Sequence, residues 1–214
     1  MIRRALSAHA PTYEWNFDNT VAPTQGAVTL SGTATFDGNG ALTHNGTVPL
    51  VLSSGISLAS GDDWSVCLIY REHGTDGSGF SYPLVSSDDL GIPVAYTNSS
   101  AESDGSVTSF EWNNTSGSDG DVFNSDIGLA DTNINIWVKL LITNTSGNVT
   151  FTADGSTFKT VTNAQTPLTL TSILAREGSG SQNFEGDFAY LAIDTTVQVW
   201  DDYPAPADLS QTGL

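Results

Sequence analysis

The sequence predicts an all-β protein built as a two-sheet antiparallel β-sandwich, and three observations carry that prediction. Apolar residues recur at every second position in short runs, the period of a strand with one buried face. Ser, Thr, Asn, Asp and Gly fill the intervals, while only 14% of residues are charged, which suits turns and leaves little material for amphipathic helices. The clearest hairpin lies between Ile134 and Val161, where Ile136, Val138, Leu140 and Ile142 alternate. Asn144-Thr145-Ser146-Gly147-Asn148 turns the chain, and Val149, Phe151 and Ala153 return.

The remaining elements follow in order. Residues 1–12 lack periodicity and end near Pro11, so they form an N-terminal arm whose order must come from docking; Arg3 and Arg4 are its candidate assembly residues. Trp15 and Phe17 alternate with polar neighbours, Val28 and Leu30 repeat the pattern, and Ala34-Thr35-Phe36 runs into the turn Asp37-Gly38-Asn39-Gly40. Segments 48–52 and 64–71 are next. In the second, Trp64, Val66, Leu68 and Tyr70 share one face, and Cys67 and Ile69 the other. Strands are expected at 82–86, 92–97, 107–113, 168–176 and 188–193, with one more at 197–200. One domain spans 13–200, and Pro204-Ala205-Pro206 lies in an acidic C-terminal tail of low order, 201–214.

Charge excludes several function classes. The formal net charge is -18 with six basic residues, so a phosphate-tracking surface has no material and nucleic acid is not an expected partner. No apolar run reaches the roughly 18 residues of a spanning helix, so no membrane insertion is expected. Cys67, the single cysteine, reads as a buried, inert thiol within a strand. The opening Met1-Ile2-Arg3-Arg4 imitates a signal peptide, but Tyr13-Glu14-Trp15-Asn16 interrupts before an apolar core forms, so classical secretion is not expected.

Phe184-Glu185-Gly186-Asp187-Phe188-Ala189-Tyr190-Leu191-Ala192-Ile193 resembles the closing strand of laminin G-like domains in the concanavalin A-like lectin and glucanase superfamily. Trp137-Val138-Lys139, followed by Val149 to Gly155, is similar to the same family's hairpin; Asp62-Asp63-Trp64-Ser65-Val66 and Gly40-Ala41-Leu42 resemble its central strand and an early turn. The resemblance covers residues 13–195 and implies a concanavalin A-like jelly roll.

Catalytic chemistry is not evident. The superfamily's glucanases carry a Glu-x-Asp-x-Glu strand that sets two carboxylates on one face, and Glu14, Glu72, Glu102, Glu111, Glu177 and Glu185 here stand singly, so no enzyme is expected. His9, His44 and His73 are far apart and read as solvated or turn residues rather than zinc ligands. No cofactor is required. Calcium is the one metal to weigh, because Asp62-Asp63, Asp88-Asp89 and Asp119-Gly120-Asp121 offer hard oxygen ligands. The resemblance implies a convex-side calcium whose acidic ligand from the closing strand corresponds to Ala189; Asp187, with Asp18, is the substitute candidate pair. Tyr96 and Trp112 are the candidate sugar-stacking residues.

Two functions from different classes are therefore expected. The first is a non-enzymatic virion protein, a capsid decoration or a tail or fibre component, on the virion surface, whose partners are other virion proteins, copies of itself or a host cell-surface glycan. It rests on an Asn-, Ser- and Thr-rich surface of extracellular type without a secretion signal. The alternative is an extracellular, free-standing carbohydrate-binding module, with calcium as an optional requirement.

Overall fold

The computed structural model describes residues 9–44, 49–59, 61–75, 80–86, 93–98, 109–112, 121–123, 137–153, 155–161, 168–174 and 184–206. Fifteen strands run through them: β1 (Tyr13–Asn16), β2 (Leu30–Ser31), β3 (Thr35–Phe36), β4 (Leu42–His44), β5 (Leu50–Leu58), β6 (Trp64–Thr75), β7 (Phe80–Ser86) and β8 (Pro93–Asn98). Then come β9 (Ser109–Trp112), β10 (Asp121–Phe123), β11 (Trp137–Thr145), β12 (Asn148–Ala153), β13 (Ser156–Val161), β14 (Leu168–Ile173) and β15 (Phe184–Asp194).

All pairings are antiparallel and close two sheets. Sheet A has the order β13-β12-β11-β6-β15-β4-β3, with β1 also on β15, and sheet B has the order β10-β9-β8-β7-β14-β5-β2. The arrangement is the expected two-sheet sandwich, a jelly roll in which short strands find partners far along the chain.

Alternation explains the layers. On β6, Trp64, Val66, Leu68 and Tyr70 join Val138, Leu140 and Ile142 of β11 and Leu191 and Ile193 of β15 in the core between the sheets. Sheet B meets them with Leu50, Leu52, Ile56, Leu58, Leu170 and Ile173. Each fully buried side chain of this size contributes about 1.5–3 kcal/mol. At one end of the core Phe184 and Phe188 meet edge to face at 5.1 Å between ring centroids, with Tyr70 stacked on Phe188 at 6.1 Å.

The β11–β12 hairpin closes through Ser146 and Gly147, whose φ values of 50° and 84° are those of a type I′ turn, the hand that matches strand twist. On β15 the register shifts at Glu185/Gly186 and at Phe188/Tyr190. Gly186 is required there, because a Cβ would lie 2.2 Å from the Arg71 carbonyl oxygen.

The outer face of sheet A is closed by the chain's own C-terminal segment. Cys67, Ile69, Trp137, Leu141, Ala189, Tyr190 and Ala192 form a second apolar cluster, covered by Tyr203 and Trp200. Residues 197–199, expected to begin a last strand, are irregular, and Trp200–Asp202 is a single 3₁₀ turn. The tail expected from 201 instead starts as packed structure, with Tyr203 buried. The reason is local: an aromatic at 203 covers apolar strand positions that would otherwise face water.

The arm is likewise fixed over residues 9–12. His9 Nε2 lies 3.0 Å from an Asp194 carboxylate oxygen, and the Thr12 backbone N–H donates to the other at 2.9 Å. Tyr203 donates its hydroxyl proton to the same carboxylate at 2.7 Å. Residues from the two ends of the described chain, His9 and Thr12 on one side and Tyr203 on the other, therefore converge on one buried acid at the end of β15.

Candidate binding faces and the Asp187 cluster

Residues 195–206 cover the middle of the outer face of sheet A, while its β12–β13 edge, with the Thr150–Thr160 and Thr152–Thr157 pairs, and the described outer face of sheet B on β5 and β14 are open to solvent. The sheet B face is hydroxylic: Ser57 pairs with Thr169 across β5 and β14, opposite in parity to the core residues Leu58 and Leu170, and Thr171 continues the row. Ser57 is exposed and both threonines half-buried.

The two candidate aromatics are separated by register. Ile173 of the core pairs with Leu84, Leu84 with Ala95, and Ala95 with Trp112. Directly opposed residues share a face, so position 112 belongs to the core-facing row. Tyr96 pairs with Glu111, one residue out of step, and so occupies the solvent-side row. Positions 96 and 112 thus fall in rows of opposite parity.

Asp187, the candidate metal ligand, is wholly buried and already has partners. Arg71 Nε donates to its Oδ2 at 2.9 Å with a second, short bond from the guanidinium, His73 Nε2 lies 2.8 Å from the same oxygen, and the Thr43 hydroxyl donates to Oδ1. A guanidinium seated on the carboxylate repels an incoming divalent ion, so Asp187 does not fit the role expected of it. Asp18 does not complete a site either; its Oδ1 accepts from Asn19 Nδ2 at 3.3 Å beside the Gly40 turn. At the position the resemblance makes acidic, Ala189 is buried within the outer apolar cluster. Among the described residues no three His, Cys, Asp or Glu side chains are grouped to hold a metal. Asp63 serves as a turn cap, accepting from the Ser146 N–H at 3.1 Å. Arg3, Arg4, Asp88-Asp89 and Asp119-Gly120 lie outside the described residues.

His44 and His9 differ from the solvated reading, while His73 is exposed. His44 is buried and its Nδ1 lies 2.7 Å from the Phe184 carbonyl oxygen, while His9 and His73 face the carboxylates of Asp194 and Asp187. Cys67 is buried as expected; burial raises its thiol to about 12, opposed by Lys139 and reinforced by Asp194. Burial also drives Tyr190 and Tyr203 far up, helped by their acidic partners Glu14 and Asp194.

Sequence reasoning passed over Arg71 and Lys139. Lys139 is 2% exposed, donates to the carbonyls of Trp200 and Tyr203 at 2.7 and 3.0 Å, and sits 4.2 Å from the Trp200 ring centroid. The signal was present in both cases: a cation within an apolar strand, at the parity of Cys67 or Trp137, must find a buried partner. At one end of the sandwich a cleft of about 430 Å³ is floored by Ile56, Leu58, Trp64 and Ile193 and edged by Asp62, Asp63 and Thr195.

Comparison with known proteins places this geometry. No protein-family model and no curated protein matches the sequence. Among solved structures, domain 4 of AbnA, a GH43 extracellular arabinanase from Geobacillus stearothermophilus in complex with arabinotriose, matches with a TM-score of 0.60 at 16% identity, over 95% of this chain and 98% of that one. The native heptameric SAP-like pentraxin from Limulus polyphemus matches with a TM-score of 0.53 at 12% identity, over 80% of this chain and 76% of that one. Trypanosoma rangeli sialidase in complex with sialic acid gives a TM-score of 0.60 at 8% identity; the match takes in 89% of this chain but only 31% of the sialidase.

Proposed function

We propose that this chain, which has the fold of the concanavalin A-like lectins and glucanases, is a non-catalytic carbohydrate-binding domain that receives a neutral glycan on the outer face of sheet B. The observation that carries the reading is the end-to-end likeness to an arabinanase domain solved with arabinotriose, 95% of one chain against 98% of the other. The faces support it: the middle of the outer face of sheet A is covered by the chain's own C-terminal segment, and the outer face of sheet B offers the hydroxyls of Ser57, Thr169 and Thr171, with position 96 in the same solvent-side row by register. Sugar hydroxyls exchange hydrogen bonds with such groups, and an aromatic at 96 would take the apolar face of a pyranose or furanose. A net charge of -18 disfavours anionic polysaccharides, which leaves uncharged ones.

Affinity electrophoresis through gels containing arabinan, or a panel of other uncharged polysaccharides, tests this. Retardation of the protein, lost in Tyr96→Ala, is the expected result. Free migration in every gel would sink the proposal, as would release of reducing ends by the pure protein, since that would make it a hydrolase. A place on a virus particle is the finer reading that co-sedimentation with purified particles tests. The arm expected to dock there is, over residues 9–12, engaged with its own domain.

A further inference from the structure

We propose that Arg71 is the built-in cation of this sheet: its guanidinium bridges the carboxylates of Asp187 and Asp37 on the outer face of sheet A, so the fold needs no divalent ion to hold these acids together.

Five strands line up at the bridge. Trp137 of β11 pairs with Arg71 of β6, Arg71 with Asp187 of β15, Asp187 with Thr43 of β4, and Thr43 with Thr35 of β3. These are consecutive positions of one cross-strand row, hence on one face. Arg71 bonds Asp187 through Nε and a terminal nitrogen, and that same nitrogen lies 3.7 Å from Asp37 Oδ2. Asp37 belongs to the β3–β4 turn, where its Oδ1 accepts the N–H groups of Asn39 and Ala41 at 2.8 and 2.9 Å. One positive group thereby ties that turn to the middle of the sheet, the mechanical task a bound metal performs between acidic loops.

Placement of the cation is specific. Its carbon lies over the Trp137 ring, 4.8 Å from the centroid, so the aromatic face shields one side of the cation. Asp187 is fully buried and would be a costly orphan without a positive partner, whereas Arg71 keeps a quarter of its surface in water. His73, 41% exposed, adds a second donor to Asp187, and Thr43 supplies a neutral one. The carboxylate thus has four contacts around it, three of them on Oδ2, and a positive guanidinium already seated where a metal would have to bind.

This inference concerns the metal independence of the domain and stands whether or not glycan binding is found. Thermal melts of the full chain are recorded with excess chelator and with millimolar calcium, for the unaltered protein, Arg71→Gln and the double variant Arg71→Gln/Asp187→Asn. Expected are a melting temperature unmoved by either addition in the unaltered protein, a fall of about 5 °C or more in Arg71→Gln, and partial recovery in the double variant, where the orphaned charge is gone. If Arg71→Gln does not fold, folding of the double variant reads the same way. A chelator-dependent melting temperature in the unaltered protein overturns the proposal, and so does an Arg71→Gln protein that melts with the parent.

Discussion

The Lys139 ammonium lies 4.2 Å from the centroid of the Trp200 ring while donating at 2.7 Å to the carbonyl oxygen of that same residue. A single lysine in the middle of β11 therefore holds the C-terminal segment by both its side chain and its backbone.

Replacing it with methionine keeps the stem and removes the donors. Lys139→Met leaves two carbonyls of the segment short of a partner and is expected to cost about 2–3 kcal/mol in denaturant unfolding. The Trp200 contribution to fluorescence should shift to the red as the segment loosens. An unchanged unfolding midpoint together with unchanged emission would show that the ammonium does not hold the segment.

Alkaline pH should unfold the protein from within. Cys67 is raised from 9.0 to about 12, and Tyr190 and Tyr203 are raised well above their ordinary 10.0. A raised folded value means that the unfolded chain loses these protons first, so the stability they confer is complete below pH 9. It declines at about 1.4 kcal/mol per pH unit for each group once its unfolded counterpart titrates, the thiol near 9 and the phenols near 10. Melting temperatures between pH 8 and 11 should fall along that course, and Cys67→Ala should flatten the stretch from 9 to 10. A parent protein whose melting temperature is level to pH 11 would contradict the burial of all three.

Gly186→Ala places a methyl group 2.2 Å from the Arg71 carbonyl and 2.7 Å from the Phe184 ring. Neither the strand backbone nor a core phenylalanine can move cheaply, so the expected loss is about 3 kcal/mol or more, read as a lowered urea midpoint. Parent-like stability would mean that the bulge can slide.

The register forecasts opposite behaviour for the two aromatics of sheet B. Trp112→Ala should lower the melting temperature, because position 112 lies in a cross-strand row that runs to Ile173 of the core. Tyr96→Ala should leave the melting temperature within a degree or two while abolishing retardation in polysaccharide gels. Exchange of those two outcomes would reverse the assignment of faces.

Much of the sandwich is legible in the sequence because strict alternation leaves little choice. The split of Trp64, Val66, Leu68 and Tyr70 from Cys67 and Ile69 is the one the two apolar clusters show. The hairpin around Ser146 and Gly147 is fixed by turn chemistry. Short β10, Asp121–Phe123, lacks a period to detect and escaped. The strand expected at 197–200 fails because Val197, Val199 and Trp200 mimic a strand, while the segment is held by Lys139, 61 residues away in sequence. The same limit applies to Asp187: spacing marks it as an acid on the closing strand, but only the fold brings Arg71 beside it through a pairing 116 residues apart.

The meeting of His9, Thr12 and Tyr203 at Asp194 puts both ends of the described chain on the same flank as the C-terminal segment. A probe attached on that flank, at exposed Thr195, would therefore stand behind sheet A, across the sandwich from the hydroxyl row of Ser57 and Thr169. A protein captured through that position should engage soluble ligands at the row as freely as one in solution.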